Sequence, residues 1–290
     1  MSTRSQAPAP TPATAPASGE AGRSPGRAPG TRPSAGRPAR WQGPAAAAAF
    51  LALLVGGWHT MALALDSVLV PGVDRIGAEI LLLVSDPLFY SELGVTFQRV
   101  ALGFALAFVA ALFVGIAMGR SPLARRFFEP AVLIGLTVPG LVWALLCVIW
   151  FGVALINPVT AVALSSAPAL TLSIYQGTRA TDAQLLEMAH VYRFSAYDRL
   201  RHLWLPSLAP ALFGGARLGL SLAWKVIVLV EIFGMSDGVG ASINGEFAAQ
   251  NVAGVLAWTV LFAVVMALLE YGVLQALENR AGRWRKVASV

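Results

Sequence analysis

Two lysines, three histidines and one cysteine among 290 residues are few atoms with which to do covalent chemistry. Glu187-Met188-Ala189-His190 is a lone Glu-x-x-His. A di-metal carboxylate centre needs a second such pair with further glutamates facing it, and the sequence offers neither. No Cys-x-x-Cys or His-x-x-x-His pair occurs, so no metal site is expected. Lys225 follows Trp224 and Lys286 follows Arg285, so no P-loop can cradle a nucleotide phosphate. Ser165, Ser166, Ser173 and Ser221 could serve an intramembrane protease only with a histidine at their depth. His59 alone lies in an apolar block, and serines there more often pack helices together. Cys147 has no disulfide partner in the chain and reads as a small core residue. The chain is expected to be no enzyme and to bind no cofactor itself.

What stands out is charge inside apolar sequence: Arg217, Lys225 and Glu231 in one block. A charge at the centre of a bilayer costs at least about 2.5–3.5 kcal/mol, so it turns toward a cavity or a partner. At about 100° per helical residue, Lys225 and Glu231 lie about 120° apart and make poor partners within one helix. Two readings of Lys225 stand. It lines a pathway between two copies of the chain and favours an anion, or it pairs with a carboxylate on a neighbouring helix or snorkels. Trp224, Lys225 and Glu231 are the pathway candidates, and Arg217 is expected to be structural.

The elements that must position these residues are membrane spans. Apolar residues make up 57% of the chain and charged ones only 12%, with a mean hydropathy of +0.67. A soluble domain carries about 25% charged residues, so an all-α integral membrane protein is expected. Six blocks are long enough to cross: about 44–65, 96–118, 130–151, 155–175, 207–233 and 255–277. Residues 1–43 are rich in Pro, Ala, Gly and Ser with six arginines, and read as a disordered tail ahead of a membrane-spanning domain at 44–290. This is no signal peptide, because the apolar stretch that follows is of span length. Arginines crowd the tail, the 119–129 and 176–206 connections and the C-terminal end, whereas the opposite side is acidic. That asymmetry predicts a multi-pass membrane protein with both termini cytoplasmic. It also excludes a nucleic-acid binder, which gathers its basic residues on one folded, water-facing patch. Ile76, Ile80, Leu83 and Val84 recur at helical spacing and predict a short helix on the outer interface.

The longest cytoplasmic connection between spans, 176–206, reads as two short amphipathic helices joined by a bend. Thr181-Asp182 can cap the first, and Leu185, Leu186, Met188, Ala189 and Tyr192 give it an apolar side. Ser195-Ala196-Tyr197-Asp198 matches the start signal of the second, and Pro206 and Pro210 frame the entry to the fifth span. An exposed element of this kind calls for something to meet it, with packing on the protein's own span ends as the alternative.

Glu187-Met188-Ala189 followed by Leu205-Pro206 resembles the "EAA" loop of ABC importer permeases. Val70-Pro71-Gly72, Leu123-Ala124-Arg125-Arg126, Glu129-Pro130, Pro139, Trp150-Phe151-Gly152, Leu222-Ala223-Trp224, Glu231 and Gly238-Val239-Gly240 extend the likeness. They are similar to the branch that imports nitrate, sulfonates and taurine, over about residues 66–286. The resemblance implies that Asp182, Leu185, Glu187, Met188, Ala189, Arg193, Phe194, Ser195, Leu205 and Pro206 belong to a coupling helix docking on a separate ATP-binding subunit. It implies as further partners an extracytoplasmic substrate-binding protein and a second, identical permease, within the lipid bilayer and without nucleic acid. The family places a glycine where this chain has Arg193. A glycine takes positive φ there readily and an arginine only at a cost, so the bend is expected around Phe194-Ser195 instead. The rival is a self-sufficient, ion-coupled secondary transporter. Such folds carry internal repeats and broken helices, and no repeat is evident.

Overall fold

The computed structural model describes residues 42–180 and 183–274. The expected tail as far as residue 41, Thr181 and Asp182, and the basic C-terminal end lie outside the described residues. The chain divides into two compact units, Met1–Phe50 and Leu51–Val290. Of the first, the described part is the opening of helix α1 (Gln42–Leu65), alanine-rich and exposed from residue 45.

The second unit continues α1 and adds α2 (Val73–Ser85), α3 (Pro87–Arg120), α4 (Pro122–Thr137), α5 (Gly140–Phe151) and α6 (Ile156–Arg179). Then come α7 (Ala183–Val191), α8 (Ala196–Asp198), α9 (Leu205–Gly234), α10 (Val239–Ala248) and α11 (Val252–Leu269). Wide π-helical turns occupy Arg199–Trp204 and Glu270–Leu274. No strand occurs among the described residues. The protein is all-α because lipid offers backbone amides no partner, so each span must satisfy its own.

Four helices are long and apolar enough to cross a membrane alone, and two bent pairs bring the number to six if each is one span. One pair, α4 with α5, corrects the expectation of a continuous third span: the helices meet at 100°. Pro139 is the cause. It brings no amide, and it pushes Val138 out of helical geometry to ψ 122°. α4 also begins earlier than expected, at Pro122, where the Ser121 hydroxyl accepts the Ala124 amide at 3.3 Å. α9 and α10 form the other pair, bent by 52°. The interfacial helix expected from residue 73 is present as α2, preceded by Pro71, whose carbonyl accepts the indole N–H of Trp58 at 3.0 Å.

With lipid tails as apolar as leucine, helices in a membrane are held by close packing, which small residues allow. α3 carries Gly103, Ala107, Ala111, Gly115 and Gly119, one per turn along a single face. A Cβ added at Gly103 would lie 2.7 Å from Val162, one at Gly115 2.8 Å from Ile174, and one at Gly119 2.4 Å from Thr178. The constant offset shows that α3 and α6 run parallel. Gly177 meets Ala211, Gly215 meets Ser173 and Gly219 meets Leu170, so α9 returns antiparallel to α6. Gly140 lies against Val226 and Gly234 against Val148, which lays α5 alongside α9 in the same direction.

Gly115→Leu is therefore expected to destabilise the protein by about 1–3 kcal/mol through overpacking. Gly214→Ala, with nothing within 4 Å of the added carbon, is expected to be neutral or stabilising by up to about 1 kcal/mol. Thermal melting in detergent, read by size-exclusion chromatography, checks the pair; equal melting temperatures would contradict the α3–α6 contact.

Candidate functional site

The most polar part of the interior lies where the far end of α9 meets the start of α3. Glu231 on α9 is fully buried, at 0% exposure. Its carboxylate accepts from Arg99 Nη1 at 2.9 Å, from Thr96 Oγ1 at 2.9 Å and from the Gly240 amide at 2.9 Å. Arg99 also donates to the carbonyl of Asp237 at 2.9 Å and to its carboxylate. Thr96, while donating to Glu231, accepts the Val239 amide at 2.9 Å, and Glu92 accepts the amide of Gly238. Three successive amides opening α10 are thus each taken by a side chain from α3 or α9. Such amides have no partner within their own helix and favour negative charge.

Backbone shape makes this possible. Gly238 sits at φ +98°, and a Cβ there would fall 2.4 Å from the Glu231 carboxyl carbon. At Gly240 the added carbon would lie 2.5 Å from the Val228 carbonyl oxygen. The Gly-Val-Gly run is therefore the close approach of one backbone to a buried carboxylate. Glu231, expected on a pathway, is instead enclosed by these partners. Trp224 is also buried, its ring facing Phe97 at 6.4 Å and Phe262 at 6.3 Å between centroids.

Lys225 is different. It is exposed on a stripe of α9 with Gly214, Leu218 and Phe233. Among the described residues it makes no hydrogen bond or ion pair, and the carboxylate nearest in sequence, Glu231, is engaged by Arg99. The pairing alternative for Lys225 thus finds no partner on the described residues of the chain. The exposed first turn of α5, Leu141 and Val142, lies at the same level, since Gly140 touches Val226.

At the opposite end of α9 the structure holds two short helices joined by a bend. Glu187 and Met188 of α7 are exposed, and Ala189 is buried. Val191 and Tyr192 are 76% and 72% exposed, and Tyr197 64%. The bend is built at Arg193 itself, which takes φ +50°, not around Phe194-Ser195 as expected. The Phe194 amide reaches back to the Ala189 carbonyl at 3.0 Å, the six-to-one bond of a Schellman ending. That bond compensates the left-handed arginine. Ser195 then caps α8, its hydroxyl accepting the Asp198 amide at 3.1 Å and donating to the Asp198 carboxylate at 2.6 Å. Leu185 lies within α7, and Leu205-Pro206 open α9.

No group of three or more His, Cys, Asp or Glu among the described residues could hold a metal. The geometry, a multi-span helical unit with a buried ion pair, an exposed lysine at span depth and a projecting helical bend, suits a conduit. Residues 103–283 match the family model of the binding-protein-dependent transport system inner membrane component. The chain belongs to that family. It is a membrane-spanning permease subunit of an ATP-driven importer.

The permease is 32% identical over 204 residues to SsuC of Bacillus subtilis, a permease named for aliphatic sulfonates, covering 70% of this chain and 73% of that one. It is 28% identical over 243 residues to the taurine transport permease TauC of Escherichia coli, covering 81% and 87%. To the nitrate import permease NrtB of Synechococcus elongatus it is 26% identical over 146 residues, covering 50% and 52%. Membership implies an ATP-binding subunit and a substrate-binding protein as partners, and it decides against the self-sufficient transporter.

Sequence reasoning missed Thr96, Arg99, Glu92 and Asp237 of the permease. Thr96 and Arg99 stand one turn apart in an apolar block, the spacing of one helix face. Read as a span charge, Arg99 could have been offered to Glu231. Removing one member of a buried pair costs about 3–5 kcal/mol, because the other is left uncompensated. Arg99→Met is expected to lower the melting temperature steeply, and Glu231→Gln added to it to restore part of the loss. Purely additive losses in that double-mutant cycle would contradict the pairing. Separately, Arg193→Gly is expected to stabilise the 183–204 segment by about 1 kcal/mol, the left-handed penalty removed less the extra chain entropy of glycine. Slower proteolysis within the segment reads the gain.

Proposed function

We propose that the permease works as a pair of identical copies in the bacterial cytoplasmic membrane, with both termini cytoplasmic, and passes a small anionic solute of the sulfonate, taurine or nitrate kind. Lys225 carries this reading. A cation at membrane depth on an exposed helix face needs a water-filled cavity or a partner. A second copy facing the same stripe of α9 would enclose two such lysines between the subunits. Their charge would favour an anion and disfavour cations.

The segment 182–206 docks on the ATP-binding subunit. Exposed Val191, Tyr192 and Tyr197 supply the apolar contact and Glu187 the polar one. Arg120, Arg125, Arg126, Arg179, Arg199 and Arg201 gather at this end, whereas Asp74, Glu79, Asp86, Glu92, Asp237 and Glu246 gather at the other. This supports the docking end as cytoplasmic. The chain itself catalyses no reaction and binds no cofactor; hydrolysis belongs to the partner.

Two measurements test this. An ATP-binding subunit is expected to co-purify with the native permease and to be lost with Leu185→Arg combined with Glu187→Ala. In proteoliposomes of the assembled complex with its binding protein, labelled taurine, ethanesulfonate and nitrate serve as the panel. Lys225→Met is expected to cut uptake of the transported anion by about tenfold or more without loss of assembly. Normal anion uptake by an assembled Lys225→Met complex would remove the lysine from the pathway.

A further inference from the structure

The helix that carries Lys225 does not start at Leu205. α8, the wide turn at Arg199–Trp204 and α9 follow one another without a gap from Ala196 to Gly234. The second half of the docking segment and the fifth span are therefore one rod with a single irregular turn. The residues after that turn account for its place. In α geometry the ring of Pro206 would press on the carbonyl of His202, and Pro210, one turn on, removes a second amide. Widening the preceding turn by one residue relieves the first clash. Such turns are rare, are found at functional sites, and are where helices kink.

A turn is either α or π, so the two forms are discrete. Losing the extra residue would rotate everything before it by about 100° and shift it by about 1.5 Å along the axis of α9. The far end of α9 has no such freedom, because Glu231 is bound to Arg99, Thr96 and the start of α10. One more contact crosses the compliant end. The guanidinium of Arg120, the last residue of α3, lies 5.2 Å over the ring of Trp204, the last residue of the turn. α3 thus meets α9 at the buried pair and at the Phe97–Trp224 ring contact, and reaches the turn that precedes α9 at Trp204.

We infer that the π turn Arg199–Trp204 is the joint through which movement of the docking segment reaches the spans. Pro206 and Arg120 are positioning residues for it: Pro206 keeps the turn wide, and Arg120 carries its displacement to α3. The inference rests on the docking role proposed above for 182–206.

The test uses the assembled complex with Cys147→Ala and a single new cysteine, at Tyr197 or at Leu218, both exposed in the free chain. A water-soluble maleimide is the probe. In the otherwise native chain, the ATP-binding subunit shields Tyr197→Cys, and a non-hydrolysable ATP analogue changes the labelling rate of Leu218→Cys. Pro206→Ala is expected to leave the shielding intact and to reduce the nucleotide response at Leu218→Cys by about tenfold. Arg120→Met is expected to reduce it too, and Arg120→Lys to fall between, since lysine keeps the charge without the flat stacking surface. A full nucleotide response in assembled Pro206→Ala overturns the joint. Should Pro206→Ala fail to assemble, Arg120→Met carries the test, and a full response there overturns the inference. Absence of shielding at Tyr197→Cys in the otherwise native complex sinks the docking reading itself, and the inference with it.

Discussion

A carboxylate with no access to water has to be met by a cation and hydrogen-bond donors, and much of this permease is arranged to do that for Glu231. The need fixes the rotation of α3, because Thr96 and Arg99 must share a face toward α9. It fixes the turn after α9, because the Asp237 carbonyl must reach the same guanidinium. It fixes glycine at 238 and 240, because any side chain there would occupy the volume of the carboxylate or of the α9 backbone. It also gives α10 its beginning, since the amides that open that helix are satisfied from outside it. A buried pair of this kind is weak evidence for stability, because desolvation offsets most of the attraction. What it supplies is registry: one arrangement of α3, α9 and α10 meets both Glu231 oxygens and the amides that open α10, and small displacements leave a charge exposed to hydrocarbon.

Away from that knot the structure is held by proximity. The glycines and alanines of α3 admit Val162, Ile174 and Thr178 of α6, and α6 in turn admits α9. Three helices are locked by shape, where water-driven burial contributes nothing between them. The same packing leaves one side of α9 without a neighbour among the described residues. Lys225 stands on that side. The face turned toward α6 is spent on small residues, and the stripe with Lys225 lies beside it, about 80° round the helix from Gly215.

Much of this was legible in the sequence, and the failures are instructive. Hydropathy reveals a span whatever its shape, so the apolar blocks were readable while the 100° break at Pro139 was not. Both halves are apolar, and the proline was visible without its consequence. The partner of Glu231 stands 132 residues away, beyond the reach of any local pattern, although two charges in apolar blocks invite pairing. Arg193 shows the opposite error. The propensity argument against a left-handed arginine was sound, but it weighed one residue by itself. A six-to-one bond from Phe194 and the capping of α8 by Ser195 outweigh a penalty of about 1–2 kcal/mol. Ser195-x-x-Asp198 was read correctly because a cap is a local signal.

Lys225 and Glu231 stand six residues apart on one helix, and their fates differ because of where that spacing turns them. About 120° of rotation places one toward α3 and α10 and the other toward open space. Had they been three or four apart, they would have stood as neighbours on one face, and a pair within the helix would have spent both charges. As built, the carboxylate anchors the far end of α9 and the lysine is left over. The near end of the same helix is held by shape rather than by charge, with Ala211 against Gly177 and Gly215 against Ser173. Its irregular turn is set by prolines, and a cation–ring contact from Arg120 reaches it. A rod pinned by charge at one end and carrying an irregular turn at the other lets the docking segment move without breaking the buried pair. The asymmetry follows from charge burial at one terminus and missing amides at the other, so it is a property of the α9 sequence before any partner is added.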